Sequence, residues 1–323
     1  MHAIQITEHG SADVMRWVEV DDPSAAPGHV VVELGAAGLN FIDTYQRSGL
    51  YQVALPYVLG LEGAGTVVEL GDGVTDLAVG DRVAWWSAPG SYAERVVVPA
   101  GGLMHVPDGF DWDLAAALPL QGMTAHYLTV DTYALGPGDA CLIHAGAGGV
   151  GLLLIQIAKL KGAEVYTTVG TPEKAELAAA AGADHTILYR DVDFADAIRD
   201  IAGTERPLDV VYDGVGKSVF AQSLGLIRPR GMMVTFGNAS GPVDPVSPLE
   251  LSANGSIFLT RPTLFHYAVT PEEIQARADD LFAWHAAGDL DVRIGERFAL
   301  ADAAEAHRAI ESRTTTGKVV LLP

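Results

Sequence analysis

Hydrophobic and polar positions follow two different rhythms along the 323-residue chain. In the first third, short β-type runs are separated by glycine or proline every several residues: Val30–Leu34, Gly65–Leu70, Arg82–Trp86 and Glu94–Val98, with Val14–Val20 a further candidate. Closely spaced strands punctuated in this way predict a small, partly open β-barrel. From about Thr124 the runs alternate with helical patterns. Ala140–His144 reads as a strand, Val150–Lys161 as a helix stopped by Gly162, and Glu164–Val169 as the next strand. A helix follows with Thr171 as N-cap, Pro172 at its first position and Gly182 beyond its end. Ile187–Tyr189, Leu208–Tyr212 and Met232–Phe236 are further strands, and Phe194–Ile201 a further helix. Such a βαβα succession predicts a doubly wound parallel sheet.

After Pro262 come two helical stretches, Pro271–Ala287 and Ala301–Arg313, and a β-type run, Lys318–Leu322. This tail is too short for a third domain, so it is expected to return and complete the first. The predicted organisation is an α/β chain with a barrel domain from residues 1–123 and 263–323, and a parallel-sheet domain from 124–262 inserted in it.

Candidate chemistry enters at Ala145-Gly146-Ala147-Gly148-Gly149-Val150-Gly151, where Gly146, Gly148 and Gly151 satisfy G-x-G-x-x-G. A bare match means little in a chain with 36 glycines. Here it lies between an apolar strand and an apolar helix, the context that gives the motif its physical sense. Small residues let the backbone approach a pyrophosphate, and the helix start turns its free N–H groups and positive dipole end toward that charge. NAD sites place an acid at the tip of the second strand for the ribose hydroxyls. This tip is Gly170-Thr171, with no acid; Lys174 follows one turn into the helix, and Tyr189 ends the next strand. A 2′-phosphate suits a lysine and not a carboxylate, so NADPH is the predicted cofactor.

Composition narrows the rest. Lys and Arg number 20 against 41 Asp and Glu, a formal net charge of −21, which repels nucleic-acid backbones and anionic membranes. The only cysteine is Cys141, so neither an intramolecular disulfide nor a cysteine-based zinc site can form. The start has no basic segment followed by a long apolar stretch, and no apolar run approaches a membrane span. A cytoplasmic protein with no nucleic-acid or membrane partner is expected.

Several segments together carry a family resemblance: Gly38-Leu39-Asn40-Phe41-Ile42-Asp43-Thr44-Tyr45, Arg47-Ser48-Gly49-Leu50-Tyr51, the glycine loop, Val169-Gly170-Thr171, Val211-Tyr212-Asp213, Phe236-Gly237-Asn238 and Glu311-Ser312-Arg313. Along its whole length the chain resembles the zinc-independent quinone oxidoreductases, the zeta-crystallin-like branch of the medium-chain dehydrogenase/reductase superfamily. The resemblance implies a GroES-like domain and a Rossmann domain. It also implies roles by position. Asn40 and Tyr45 would approach the nicotinamide, while Asp43 and Tyr51 line or order the substrate side. Thr124 would touch the cofactor, Gly149 and Val150 the pyrophosphate, and Gly170, Lys174 and Tyr189 the 2′-phosphate region. Phe236, Gly237 and Arg313 would close over the nicotinamide half. Gly214 and Ala239 stand where relatives often carry serine, which puts hydrogen bonds to the cofactor there in question.

Zinc relatives need three protein ligands of N, S or O type. Here Leu61 precedes Glu62 where a histidine would stand, the Asn40-Phe41 region has no cysteine, and Gln121 occupies the region of the third ligand. His144, just before the glycine loop, reads as a strand-end packing residue, and His126, His266, His285 and His307 lack metal-like spacing. Without a Lewis acid, an acceptor that takes hydride readily is required, and quinones meet that requirement. Asn40, Tyr45 and Tyr51 are candidates for polar contact with the quinone oxygens. The expected activity is NADPH:quinone oxidoreduction, by hydride or single-electron transfer. Reduction of an activated C=C bond in an enone or enoyl thioester is the alternative, and a structural or RNA-binding role the distant one. The apolar Gly255–Thr260 segment resembles an edge strand through which two copies pair, so a homodimer is expected.

Overall fold

The computed structural model describes all 323 residues, which divide into two compact units. The first comprises Met1–Met123, Ala268–Ala283 and Val292–Pro323, and the second Thr124–Tyr267 and Trp284–Asp291.

The first unit opens with strands β1 (His2–Ile6), β2 (Arg16–Glu19) and β3 (His29–Leu39). Helix α1 (Phe41–Ser48) follows, then β4 (Tyr57–Val58), β5 (Glu62–Leu70), β6 (Arg82–Trp85), β7 (Arg95–Pro99), β8 (Leu103–His105) and the short helix α2 (Trp112–Ala115). Helix α3 (Pro119–Tyr127) leads into the second unit. The second unit then runs β9 (Ala140–His144), α4 (Gly149–Leu160), β10 (Glu164–Val169), α5 (Pro172–Ala180), β11 (His185–Leu188), α6 (Phe194–Ala202), β12 (Leu208–Asp213), α7 (Phe220–Leu224), β13 (Ile227–Thr235), α8 (Pro248–Ala253) and β14 (Phe258–Thr260). The chain closes with α9 (Pro271–Ala287), β15 (Ile294–Ala299), α10 (Ala303–Glu311) and β16 (Lys318–Leu322). No helix is long and apolar enough to cross a membrane.

In the first unit, a three-stranded sheet of order β2-β1-β4 accompanies a seven-stranded sheet of order β15-β16-β3-β5-β6-β8, with β7 also paired to β3. Strand β3 is the axis of this sheet: β5 pairs antiparallel with it from Val30 to Gly38, β7 with its first half at His29–Glu33, and β16 with its end at Ala37–Leu39. The tail is part of the core as well as of the sheet. Ile310 and Leu321 pack in one buried cluster with Ile4, Val32 and Trp85.

The second unit holds six parallel strands in the order β11-β10-β9-β12-β13-β14. The order reverses between β9 and β12, so the loops leaving these two strands border the place where open α/β sheets bind ligands. Leu142, Tyr166, Ile198, Val211 and Met233 belong to its core. Its helices end where local chemistry dictates. Thr171 caps α5 with Pro172 behind it, and Asp193 caps α6 by accepting from Ala195 and Asp196 N–H. The helix α1 has local signals as well, Asn40 three residues before Asp43 and Gly49 beyond its end, though no long apolar period announces it. Its amphipathic face is short, and it forms because Asp43 reaches back to the Asn40 N–H and Gly49 ends it in the left-handed region at φ +83°.

Candidate active site

Strand β9 delivers the glycine loop. Ala145 takes a positive φ of 56°, Gly146 N–H donates to Thr168 O at 3.2 Å, and Gly148 N–H to Ala145 O at 2.9 Å. A Cβ on Gly146 would enter the Thr167 hydroxyl, and one on Gly151 the Ala145 carbonyl, so the turn is packed to the limit that glycine allows. Helix α4 starts directly behind, with extended Gly148 as N-cap. Its first-turn N–H groups have no intrahelical acceptor, which makes this end an anion site. The cradle fits a dinucleotide pyrophosphate.

At the tip of β10, a Cβ on Gly170 would lie 2.9 Å from Tyr189 Oη and 3.3 Å from Arg190 Nε. Lys174 is held to the same corner: its N–H donates to Thr171 Oγ1 at 3.4 Å, and burial and the Arg190 charge both hold its ammonium below the usual lysine range. A guanidinium and a phenol thus border one glycine, with the Lys174 ammonium within reach of the Arg190 charge. Arg190 is a residue that sequence reading missed. Its signal was the parallel register Val169↔Leu188, which sets the residues after β11 beside the β10 tip.

Beyond β12, Asp213 Oδ1 accepts from the N–H groups of Val215 and Gly216, both at 2.8 Å, and burial pushes this carboxyl up to about 6. Phe236 N–H returns to Asp213 O at 2.8 Å. The Phe236 ring lies against Gly214, where a Cβ would sit 3.0 Å from Cζ. Gly237 in turn packs on the Gly214 backbone too closely for a side chain. Glycine at 214 is therefore matched to this ring position, which a serine would displace. Thr124 is buried on α3. His144 is fully enclosed between Thr168 Oγ1 at 2.8 Å and Ser223 Oγ at 2.9 Å, and burial pushes it down to about 3. It is a neutral packing residue.

The first unit gathers Asn40, Asp43, Glu62, Gln121 and Lys318. Asn40, at the N-cap of α1, donates from Nδ2 to Glu62 Oε2 at 2.7 Å. Its Oδ1 accepts from Lys318 Nζ at 3.0 Å and Gln121 Nε2 at 3.2 Å. Lys318 Nζ also pairs with Glu62, and Glu62 Oε1 accepts from Leu120 N–H at 2.6 Å. Nδ2 also donates to Gly38 O at 3.3 Å, so with both amide hydrogens engaged Asn40 has little left to donate to an acceptor oxygen. That corrects its expected polar contact with a quinone: it holds the N-terminus of α1. Asp43 is likewise fully buried, accepting from Asn40 N–H at 2.9 Å and Tyr92 Oη at 2.8 Å. It cannot line a substrate surface, so of its two expected roles only ordering is open to it. Tyr45 and Tyr51 do reach the surface. Tyr51 is 37% exposed, and the two rings meet edge to face at 5.3 Å. Arg313 follows α10, exposed, at φ +61°.

Residues 26–108 match the alcohol dehydrogenase GroES-like domain family, and residues 149–284 the zinc-binding dehydrogenase family. The chain is 47% identical to a quinone oxidoreductase of Pseudomonas aeruginosa over 99% of both chains. The chain belongs to the quinone oxidoreductase family of the medium-chain dehydrogenases/reductases. The chain is also 43% identical to a 2-haloacrylate reductase of Burkholderia sp., over 99% of this chain and 98% of that one. A quinone oxidoreductase of Escherichia coli, solved in complex with NADPH, superposes with a TM-score of 0.98 at 39% identity over 100% of both chains. The zinc named for one matched domain does not fit this member of the family. No three histidine, cysteine, aspartate or glutamate side chains come together as a metal-binding group, and Glu62 is neutralised by Lys318.

Proposed function

We propose that this protein is an NADPH-dependent quinone reductase of the cytoplasm. The observation that carries the reading is the tip of β10, where Gly170 lies beside Tyr189 and Arg190 with Lys174 near the Arg190 charge, while the one carboxylate there, Glu173, accepts from Thr171 in the first turn of α5. A guanidinium and an ammonium suit a 2′-phosphate, which an acidic tip would repel. The second unit, Thr124–Tyr267 with Trp284–Asp291 rather than residues 124–262 alone, forms the NADPH-binding domain in this reading, and the first unit the acceptor domain.

When bound, NADPH supplies hydride from its nicotinamide ring. The chain's own contribution is binding and orientation. Gly146–Gly151 and the α4 N-terminus hold the pyrophosphate. Lys174, Tyr189 and Arg190 hold the 2′-phosphate, while Phe236 and Gly237 border the nicotinamide half. Tyr45 and Tyr51 present aromatic faces to a planar acceptor and hydroxyls to its oxygens, and Thr124 backs the cofactor from α3.

Steady-state oxidation of NADPH, measured with a panel of quinones and a panel of enones and 2-haloacrylates, tests the reading. Higher kcat/KM on quinones supports it. A preference for the C=C substrates by orders of magnitude overturns it in favour of the second reading, an NADPH-dependent C=C reductase, which rests on the similarity to the Burkholderia enzyme.

A homodimer belongs to the same proposal. Strand β14 is the edge of the six-stranded sheet, and Phe258 on it is 60% exposed. An open apolar edge favours pairing with a second copy. A dimer mass in solution that falls to the monomer in Phe258→Asp supports it; a monomeric wild type overturns it.

A further inference from the structure

A buried polar string in the first unit has no place in cofactor or acceptor binding. It starts at Glu311 on α10, whose carboxylate takes two bonds from Arg47 of α1, Nη2 to Oε1 at 2.6 Å and Nη1 to Oε2 at 3.2 Å. Arg47 Nη1 also faces His307 Nδ1 at 3.0 Å, His307 Nε2 faces Tyr92 Oη at 3.4 Å, and Tyr92 Oη faces Asp43 Oδ2 at 2.8 Å. Arg47, Tyr92, His307 and Asp43 are all at most 3% exposed.

The direction of every bond follows from one residue. A guanidinium can only donate, so His307 Nδ1 accepts, and the proton of the neutral ring sits on Nε2. Burial and the Arg47 charge hold His307 neutral, pushed down to about 3. His307 therefore donates to Tyr92, and Tyr92 donates to Asp43. Asp43 Oδ2 also accepts the Asn40 N–H, while its Oδ1 is buried without a partner. All donors converge on one carboxylate, and the last partner is a backbone amide, which cannot pass a proton on. The string orients rather than conducts.

What it orients is specific. It joins α1, which carries Asn40 and Tyr45, to α10, whose last residue is two before Arg313. We propose that Arg47, Tyr92 and His307 are positioning residues, which hold Asp43 in place and through it set where α1 presents Tyr45 for the reaction. This rests on the function proposed above, since it concerns the role assigned there to Tyr45.

The string works through the ionised form of Asp43, because its donors need a full acceptor. Burial is the largest influence on that carboxyl and, with Glu62 of β5, favours the neutral acid; the Asn40 N–H, Tyr92 and Lys318 of β16 oppose it, leaving it at about 7. Tyr57 of β4 also faces it, and Arg47 and His307 stand behind Tyr92. Removing a donor to the charged form raises its pKa and makes ionisation costlier in the closed helix, so Tyr92→Phe loosens α1 most where Asp43 is ionised, at neutral and higher pH.

The test uses the full chain without cofactor, following hydrogen exchange of residues 40–48 against 29–39 of β3, alongside the pH profile of kcat/KM with NADPH and a quinone. Tyr92→Phe is expected to lower the protection of 40–48 roughly tenfold at about pH 8 and much less at about pH 5, leave β3 unchanged, and lower kcat/KM more at about pH 8 than at about pH 5. In an Asp43→Asn background, Tyr92→Phe should show no such difference between the two pH values. Should Tyr92→Phe fold poorly, His307→Leu is expected to give the same local loosening with a smaller difference between them. Unchanged protection in 40–48, equal loosening of β3, or an equal effect at both pH values overturns the proposal. If wild type turns over no quinone, the functional reading fails, and the exchange experiment still decides whether the string sets α1.

Discussion

The ammonium of Lys318 and the carboxylate of Glu62 pair inside the first unit with side chains 1% and 0% exposed, and the Asn40 amide bridges both. The pair lies 256 residues apart in the chain and ties β16 to β5. Breaking a buried pair from one side leaves an uncompensated charge. Lys318→Met is therefore expected to lower unfolding free energy by about 3–5 kcal/mol in denaturant titrations. The double variant Lys318→Met/Glu62→Gln should recover most of that loss. A double variant no more stable than the single one would show that the ion pair is not the source.

Cofactor choice should follow the cations at the β10 tip. Charge-assisted bonds to a phosphate each contribute about 1.5–3 kcal/mol, so Lys174→Ala or Arg190→Ala is expected to raise KM for NADPH roughly tenfold to a hundredfold. KM for NADH should hardly change, because no 2′-phosphate is present to lose its partner. Parallel initial-rate measurements with both nucleotides decide it.

The glycine loop separates packing from binding. A Cβ on Gly151 would meet the Ala145 carbonyl and the Gly146 backbone, which cannot move aside, whereas one on Gly148 lies 3.2 Å from a single carbonyl oxygen. Gly151→Ala is expected to lower Tm by several degrees and abolish NADPH binding, and Gly148→Ala to keep Tm nearer wild type. Thermal melts with and without nucleotide check the order of the two.

Stability should respond to pH at Asp43 with a definite sign. Burial raises its carboxyl from 3.8 in the unfolded chain to about 7 in the folded one. Between those values the folded state binds the extra proton, so this residue's contribution to stability falls as pH rises and is lost by neutrality. Asp43→Asn removes that loss. Its stability relative to wild type is expected to grow by on the order of 4 kcal/mol between about pH 4 and pH 8. His144 and His307, each pushed down to about 3, work the other way. Their contribution is complete above the unfolded histidine value and declines as pH falls through the folded one, so replacing either should narrow its deficit against wild type in acid. Chemical denaturation across this range gives both signs.

Local rules carried much of the design. Periodicity and turn residues placed β9, β10, α9 and β16 at their observed bounds, because a buried strand or a capped helix advertises itself within about a dozen residues. The glycine loop and the acid-free tip were readable for the same reason: their chemistry belongs to neighbours in sequence. Hydrophobic periodicity left the helix α1 unannounced, although its cap at Asn40 and Asp43 and its closing Gly49 are local. It depends on Asp43 turning back to Asn40 and on partners from Tyr92, His307 and Lys318, which no window of the chain contains together. Nor could residue type alone separate Asn40 and Asp43, buried and engaged, from Tyr45 and Tyr51 at the surface.

The sequence by itself thus determined the two element rhythms, the phosphate cradle and the charge preference of the nucleotide site, all products of short-range backbone sterics and local hydrogen bonding. Only the tertiary structure decided that Lys318 neutralises Glu62, that Arg190 joins Lys174, and that a string from Glu311 ends on Asp43. Those are pairings of buried polar groups across long loops, and burial makes each group take whatever partner the fold brings within reach.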